Sequence, residues 1–315
     1  MLSSQPAAHD SSHGLPDAVR VIVRGWLSCN QILLADGDTH VLVDTGHKLH
    51  AEQTVALVRR AAGGGPIGHI INTHCHVDHM GGNAAIQRAF GARIAVPVDE
   101  APGARPWRRE SFWMEYADQD AEPFDYDDTI APGDRLDIGA LTWHAVAAPG
   151  HDMGALIFFC SELGLLLSGD ALWEKGLGVV LPSEGARDVE AALETLAAIE
   201  SLKPRIVVPG HGEPFADIGA ALAFSRRRLE EFRADPRKQA KHVLKVMLVF
   251  TLLARGSMPL EGLPGYLEGV PVYADLNREF FTLNPQALAE MLVTELLAVG
   301  AVEKRGVELA PCMKA

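Results

Sequence analysis

Paired cysteines are missing from this 315-residue chain: Cys29, Cys75, Cys160 and Cys312 stand far apart, with no CxxC among them. Such spacing excludes a disulfide framework and predicts reduced thiols in a cytosolic compartment. Basic charge is scarce too. With 28 Lys and Arg against 41 Asp and Glu the formal charge is -13, which argues against nucleic acid as the default partner, because phosphate-binding surfaces depend on clustered cations. Long apolar runs are also lacking. The longest helical one, Val243 to Ala254, is too short to cross a bilayer and has Lys238, Lys241 and Lys245 about its start, so no membrane contact is expected. Met1 to Pro16 has no basic segment followed by an apolar stretch, unlike a secretion signal. It reads as a disordered lead-in, with His9 and His13 as solvated side chains.

What is there is ordinary for a soluble globular protein: 48% hydrophobic and 22% charged residues, with length for one large domain and a smaller appendage. Val19 to Val23, Asn30 to Ala35 and Thr39 to Val43 read as strands joined by tight turns. Glu52 to Ala62 has helical periodicity and stops at Gly63-Gly64-Gly65-Pro66. Strand Ile67 to Asn72, helix Asn83 to Phe90 and strand Arg93 to Val96 follow. Asp99 to Pro132 then breaks the rhythm as an irregular, aromatic-rich insertion, read either as a lid or as a segment pinned to the surface or to another subunit. Strands return at Leu136 to Ile138, Leu141 to Val146, Ala155 to Cys160 and Leu165 to Ser168. Helix Val189 to Ile199 precedes a short strand, Arg205 to Val208.

Helices dominate beyond Pro214, at Asp217 to Arg233, Arg237 to Ala254 and, behind an Asn284 cap, Pro285 to Val299. A two-stranded ribbon over Ala301 to Leu309 completes a winged-helix-like pattern. The expected organisation is a lead-in over 1–18, a main domain over 19–236 and this appendage over 237–315. Nine Lys and Arg stand against eight Asp and Glu from Arg237 onward. So nearly neutral an appendage suits a cap over a substrate cleft, or a homodimer contact, better than a DNA reader.

One stretch organises the rest: Thr73-His74-Cys75-His76-Val77-Asp78-His79, after apolar Ile70-Ile71 and before Gly81-Gly82. Three imidazoles and a carboxylate so close together form a metal-binding set. In an extended segment His74 and His76 point the same way, and Asp78 and His79 project from the next turn toward a neighbouring point, so one loop can serve two ions. Cys75 faces away by alternation and reads as buried filler. Three later strand ends each add a ligand beside glycine: Pro149-Gly150-His151, Ser168-Gly169-Asp170 and Pro209-Gly210-His211. Five histidines and two aspartates, with no thiolate, suit two divalent ions, such as zinc, manganese or iron.

With these motifs in this order, the stretch from about Val19 to Pro214 resembles the metallo-beta-lactamase superfamily of metallohydrolases. The resemblance implies an α+β fold, an αββα sandwich of two mixed sheets with helices outside. It also implies that His74, His76 and His151 hold one ion, that Asp78, His79 and His211 hold a second, and that Asp170 bridges them. Zinc comes first and iron or manganese are the alternatives. Asp44, in Val43-Asp44-Thr45-Gly46, matches a position that supports the ligand histidines. A shared water, acidified toward pKa about 7, becomes the hydroxide nucleophile, with Asp78 as the catalytic residue that orients it or moves its proton. Trp107, Trp113, Tyr116 and Trp173, with Glu174, are the candidate lining of a small-molecule pocket.

For the substrate, a bridging aspartate with a helical appendage is similar to hydroxyacylglutathione hydrolases and related acyl-thioester hydrolases, which implies attack on an acyl-glutathione-like or acyl-CoA-like thioester or an ester. An acyl-homoserine-type lactonase and an endoribonuclease or phosphodiesterase of the same superfamily are the alternatives. Lactamases generally lack that aspartate, and persulfide dioxygenases bind a single iron. A regulatory module with a disused site is the non-enzymatic alternative.

Overall fold

The computed structural model of the protein describes residues 9–11, 14–105 and 107–312. Short apolar stretches broken by turns form a seven-stranded sheet in chain order: β1 (His9–Ser11), β2 (Val19–Val23), β3 (Gln31–Asp36), β4 (Thr39–Val43), β5 (Ile67–Ile71), β6 (Arg93–Pro97) and β7 (Asp128–Ile130). The first four strands meander antiparallel. From β4 to β7 the pairing is parallel, because α1 (Ala51–Ala61) and then α2 (Val77–Met80) and α3 (Asn83–Phe90) supply the crossovers that parallel strands need. Between β6 and β7 lie α4 (Ala101–Ala104) and a 3₁₀ turn at Arg109–Phe112.

The second sheet holds β8 (Arg135–Ile138), β9 (Leu141–Ala147), β10 (Leu156–Cys160), β11 (Leu165–Gly169) and β12 (Ile206–Pro209), in spatial order β12-β11-β10-β9-β8. Its one parallel pair, β11 with β12, is joined through α5 (Arg187–Leu202).

Period-two alternation places these strands between two apolar layers. Ile32, Leu34, Val41 and Val43 share an inner cluster with Trp143, Leu156, Phe158 and Leu167 of the second sheet. Leu33 and Leu42, one residue out of phase, face outward onto Val58 of α1 and Ile86 of α3. On the other outer side Ile157, Phe159 and Leu166 meet Val189 and Leu196 of α5 and Leu222 and Leu229 of α6 (Ile218–Ala234). At about 1.5–3 kcal/mol for each large aliphatic or aromatic side chain buried, the two faces hold the strand ends in fixed relation. The result is the expected αββα sandwich.

The C-terminal part continues with α7 (Pro236–Arg255), β13 (Met258–Pro259), α8 (Leu263–Gly269), α9 (Pro271–Phe280), α10 (Pro285–Ala298), β14 (Val302–Arg305) and β15 (Glu308–Pro311). Asp235 caps α7 and Asn284 caps α10, each with proline in the first helical turn. Leu244, Leu248, Leu252, Tyr273 and Leu292 form an apolar cluster here, which Ala117 of the segment between β6 and β7 joins.

Five local expectations differ from the structure. β1 pairs with β2 inside the stretch read as a disordered lead-in, while His13 lies outside the described residues. The histidine loop contains the short helix α2. β7 lies in the insertion read as irregular. α8 and α9, both short and opening on proline, lacked a long enough periodic stretch to be seen. The expected two-stranded ribbon is three-stranded, since β13 joins β15. All four cysteines are free, and Cys75 is buried among Val77 and Met80. Among the described residues no helix is long and apolar enough to cross a membrane.

Candidate metal centre

The ligand-type side chains of the motifs sit at or just beyond strand ends of the two sheets. β5 leads into His74 and His76, α2 carries Asp78 and His79, β11 ends before Asp170, β12 ends before His211, and the turn between β9 and β10 carries His151. Two of these turns need glycine for close approach. Gly150 has a φ of 134°, and a Cβ there would lie 2.6 Å from Cβ of Ala192 on α5; a Cβ on Gly210 would lie 2.4 Å from Oδ1 of Asp170. Polar ties fix the turns. Thr195 of α5 donates to the Pro149 carbonyl at 2.8 Å, and the Asn30 amide donates to the carbonyls of Pro209 at 2.9 Å and Gly212 at 2.7 Å.

Two clusters result. His74, His76 and His151 bring one ligand atom each within 4.8 Å of one another, and so do Asp78, His79, Asp170 and His211. Asp170 reaches both: Oδ2 is 3.4 Å from Nε2 of His151, and Oδ1 is 3.2 Å from Nε2 of His79 and 3.8 Å from Nε2 of His211. Asp78 Oδ2 lies 3.2 Å from His211 Nε2.

The outer ring nitrogens are already engaged. His151 Nδ1 donates to the Val179 carbonyl at 2.5 Å, His74 Nδ1 lies 3.1 Å from the Thr73 hydroxyl, and His79 Nδ1 lies 2.8 Å from Oδ2 of Asp44. Asp44 itself is held by the backbone N–H and hydroxyl of Thr73. This outer set turns Nε2 of His74 and His79 inward, where both are buried with no hydrogen-bond partner among the described residues. Orphaned buried nitrogens facing carboxylates are what a cation would satisfy, so the donor set fits divalent metal.

Charge supports the same fit at His74 and His76. Burial, reinforced by the neighbouring imidazoles, holds His74 well below the ordinary histidine range and lowers His76 to about 4. Both are therefore neutral and able to ligate. In the second cluster burial opposes a charge on His79, yet Cys29, Asp170, Asp44 and Asp78 overcome it and hold that ring well above the ordinary histidine range, so a cation there would displace a proton. Burial opposes ionisation of Asp78, yet His79 and His211 bring it down to about 2. A third group, Cys29 with Asp44 and His79, is not a separate site: Asp44 engages the outer nitrogen of His79, and burial pushes the Cys29 thiol up to about 11.

Above the clusters lies a narrow cleft of about 60 Å³. Trp113 tilts over His76 with ring centroids 4.7 Å apart, and Trp173 donates from Nε1 to Oδ1 of Asp170 at 3.2 Å. Both were expected there. Trp107 is not: its ring packs on Phe112 and Phe124 in the outer apolar layer of the first sheet. Tyr116 belongs to the C-terminal apolar cluster, and its carbonyl accepts from the Val272 N–H. Glu174 is exposed. Buried apolar surface claimed both misplaced rings.

Sequence reasoning missed Trp26, which stacks on His211 at 4.0 Å, and Val246, Met247 and Phe250 of α7, which close the cleft. The α7 residues carried a signal, since positions 246 and 250 are one helical repeat apart, but nothing in that spacing says which neighbour they face. Asn30 stood in no motif.

Residues 24–211 match the family model described as the Metallo-beta-lactamase superfamily. A hydroxyacylglutathione hydrolase from Rhodobacter capsulatus is 31% identical over 144 residues, covering 45% of this chain and 47% of that protein. Another, from Anaeromyxobacter dehalogenans, is 31% identical over 209 residues, covering 64% of this chain and 71% of that protein. The chain spans about half the length of the first curated relatives it matches. A crystal structure of a beta-lactamase domain protein from Burkholderia ambifaria superposes with a TM-score of 0.58 at 22% identity, covering 98% of this chain and 97% of that one. At that identity the likeness carries the fold alone, and it extends over the C-terminal helices.

Proposed function

This chain belongs to the metallo-beta-lactamase superfamily, and from that premise we propose that it is a metal-dependent hydrolase of a thioester or ester. The observation that carries the reading is Asp170, whose two carboxylate oxygens face different clusters. His74, His76 and His151 would hold one ion, Asp78, His79 and His211 the other, and Asp170 both. Zinc fits this nitrogen and oxygen set first, and iron or manganese fit it as well. Divalent ions bound there supply Lewis acidity, polarising a carbonyl oxygen and making water acidic enough to attack near neutral pH.

The chain's own residues do the rest. Asp44 and the Val179 carbonyl engage Nδ1 of His79 and His151, so each ring turns its Nε2 toward the clusters. Asp78, kept ionised by His79 and His211, accepts a proton or hydrogen bond from water at its end of the cleft. Trp26, Trp113 and Trp173 limit bulk water. Among the described residues no Lys or Arg lines the cleft, so its walls suit an apolar acyl group. Its volume, far below the roughly 300–1,000 Å³ of pockets for drug-sized ligands, leaves the thiol or alcohol carrier outside.

The names of the relatives favour a thioester, and acyl-glutathione and acyl-CoA compounds are the first substrates to try. The test is a panel of acyl thioesters, acyl esters, lactones and phosphodiesters with zinc-, iron- and manganese-loaded protein. Turnover of a thioester or ester, abolished by chelation and restored by metal, is expected. If only lactones or phosphodiesters are cleaved, the reading fails.

A further inference from the structure

Helix α7 lines a second cavity. It is about 640 Å³ and is bounded by α6, α7 and α10 together with Phe281. Lys238, Lys241, His242 and Lys245 recur at three- and four-residue spacing and so share one face of α7. Arg228 of α6 and Arg237 complete a basic lining in which the acids are Glu231, Asp235 and Glu295. Five fixed positive charges against three negative make a positive concavity in a chain of net charge -13.

The acids are already taken. Glu231 pairs with Lys238, and Glu295 receives Lys241 at 2.8 Å and Lys245 at 3.0 Å. Asp235 accepts from the Lys238 backbone N–H at the start of α7. Among the described residues neither Arg228 nor Arg237 has a carboxylate within ion-pair distance. Arg237 lies over the Phe281 ring at 5.1 Å. Arg228 is half-buried, and that burial lowers its guanidinium below the usual range. Glu231, shared with Lys238, only partly offsets that burial. A partly desolvated guanidinium with no carboxylate in ion-pair reach is stabilised by a ligand that supplies an anion.

We propose that this cavity binds an organic di- or polyphosphate. Its phosphates would meet the guanidinium forks of Arg228 and Arg237 and the lysine charge that Glu295 alone does not balance. Its apolar or ring portion would lie along Phe281 and Met291. The volume falls within the roughly 300–1,000 Å³ of small-ligand sites. The bounded concavity, in an acidic chain, favours a small molecule over the open basic stripe that a nucleic-acid strand requires. None of these residues belongs to the metal clusters, so the site is independent of the hydrolase reading.

The test is titration calorimetry of metal-loaded protein with ADP and with pyrophosphate, using adenosine as the phosphate-free control. Saturable binding of ADP at one per chain, roughly tenfold or more tighter than adenosine, is expected. Arg228→Gln with Arg237→Gln weakens it by about tenfold or more, with metal content and melting temperature unchanged. Arg237→Glu, a change at an exposed position, weakens ADP at least about threefold and reads the same site should the double variant not fold. Phosphates also ligate metal ions. ADP binding indifferent to both arginine variants but lost in Asp170→Asn therefore places it on the metal centre and overturns the proposal. Absence of saturable binding does so too, as does tighter binding of single-stranded RNA with affinity that grows with its length.

Discussion

The two cavities that share α7 are made in opposite ways. The metal cleft gathers three buried carboxylates, Asp44, Asp78 and Asp170, around buried imidazoles, and its groups come from strand ends locked between two apolar layers. The basic cavity gathers cationic side-chain tips, most of them partly or fully exposed, from neighbouring helices. In the first the backbone sets the geometry and side chains complete it. In the second, long side chains set the geometry and the backbone only brings the helices near. A centre of the first kind can hold charge at distances fit for chemistry, whereas one of the second kind can only concentrate charge and bind.

The sharpest break of this comparison is at the bridging carboxylate. Asp170→Asn keeps the shape and removes the charge that faces both clusters, so hydrolysis should fall on the order of 10³-fold and bound metal should fall below two per chain by elemental analysis. ADP binding at the other cavity should be untouched. If it falls equally, the two sites are coupled and their separate construction is refuted.

This contrast also explains what could be read from the sequence. The ligands were legible because His74, His76, Asp78 and His79 crowd into six residues after an apolar run, and His151, Asp170 and His211 each stand beside glycine at the end of another. A strand end has few directions in which to point a side chain. His74, His76, Asp78, His79, His151, Asp170 and His211 all converge. Trp107 and Tyr116 were misplaced because an aromatic in an irregular segment carries no direction. One found the apolar layer outside the first sheet and the other found the C-terminal cluster. The closure of the cleft by Val246 and Phe250 was illegible for a related reason: an amphipathic helix shows which face is apolar, not what covers it. Charge counting had a similar blind spot. A near-neutral appendage concealed a positive cavity, because acids such as Glu261, Glu268 and Glu279 offset its lysines in the sum while lining none of it.

A smaller effect should separate the apolar side of the cleft from its metal side. Phe250 is half-buried, 5.9 Å from the His47 ring, and lines the cleft without being a ligand itself. Phe250→Ala removes apolar contact that ground state and transition state share, so KM should rise about tenfold with kcat and metal content nearly unchanged. A fall in kcat at constant KM would mean that α7 helps form the reacting geometry, and that the cleft is not built by strand ends alone.

The last effect concerns protons in the basic cavity. Burial, then the charges of Arg228 and Lys245, lower His242 from 6.5 to about 4. Above pH 6.5 the imidazole is neutral folded or unfolded and adds no pH dependence. Between pH 6.5 and 4 the unfolded chain takes up a proton that the folded one refuses, so stability rises with pH across that window and is lost as pH falls through it. The loss reaches at most about 3 kcal/mol by linkage, and less to the extent that solvent screens a side chain lining an open cavity. His242→Gln should flatten that part of the profile, read by urea denaturation at a series of pH values with the metal load held constant. An anion seated on Arg228 and Arg237 would offset the positive field and raise the pKa of His242. ADP should therefore shrink the same slope in the unaltered protein and leave the His242→Gln profile as it was. A slope that ADP leaves unaltered would place the lowering in burial alone, and the cavity's positive field would then have no thermodynamic consequence for its own histidine.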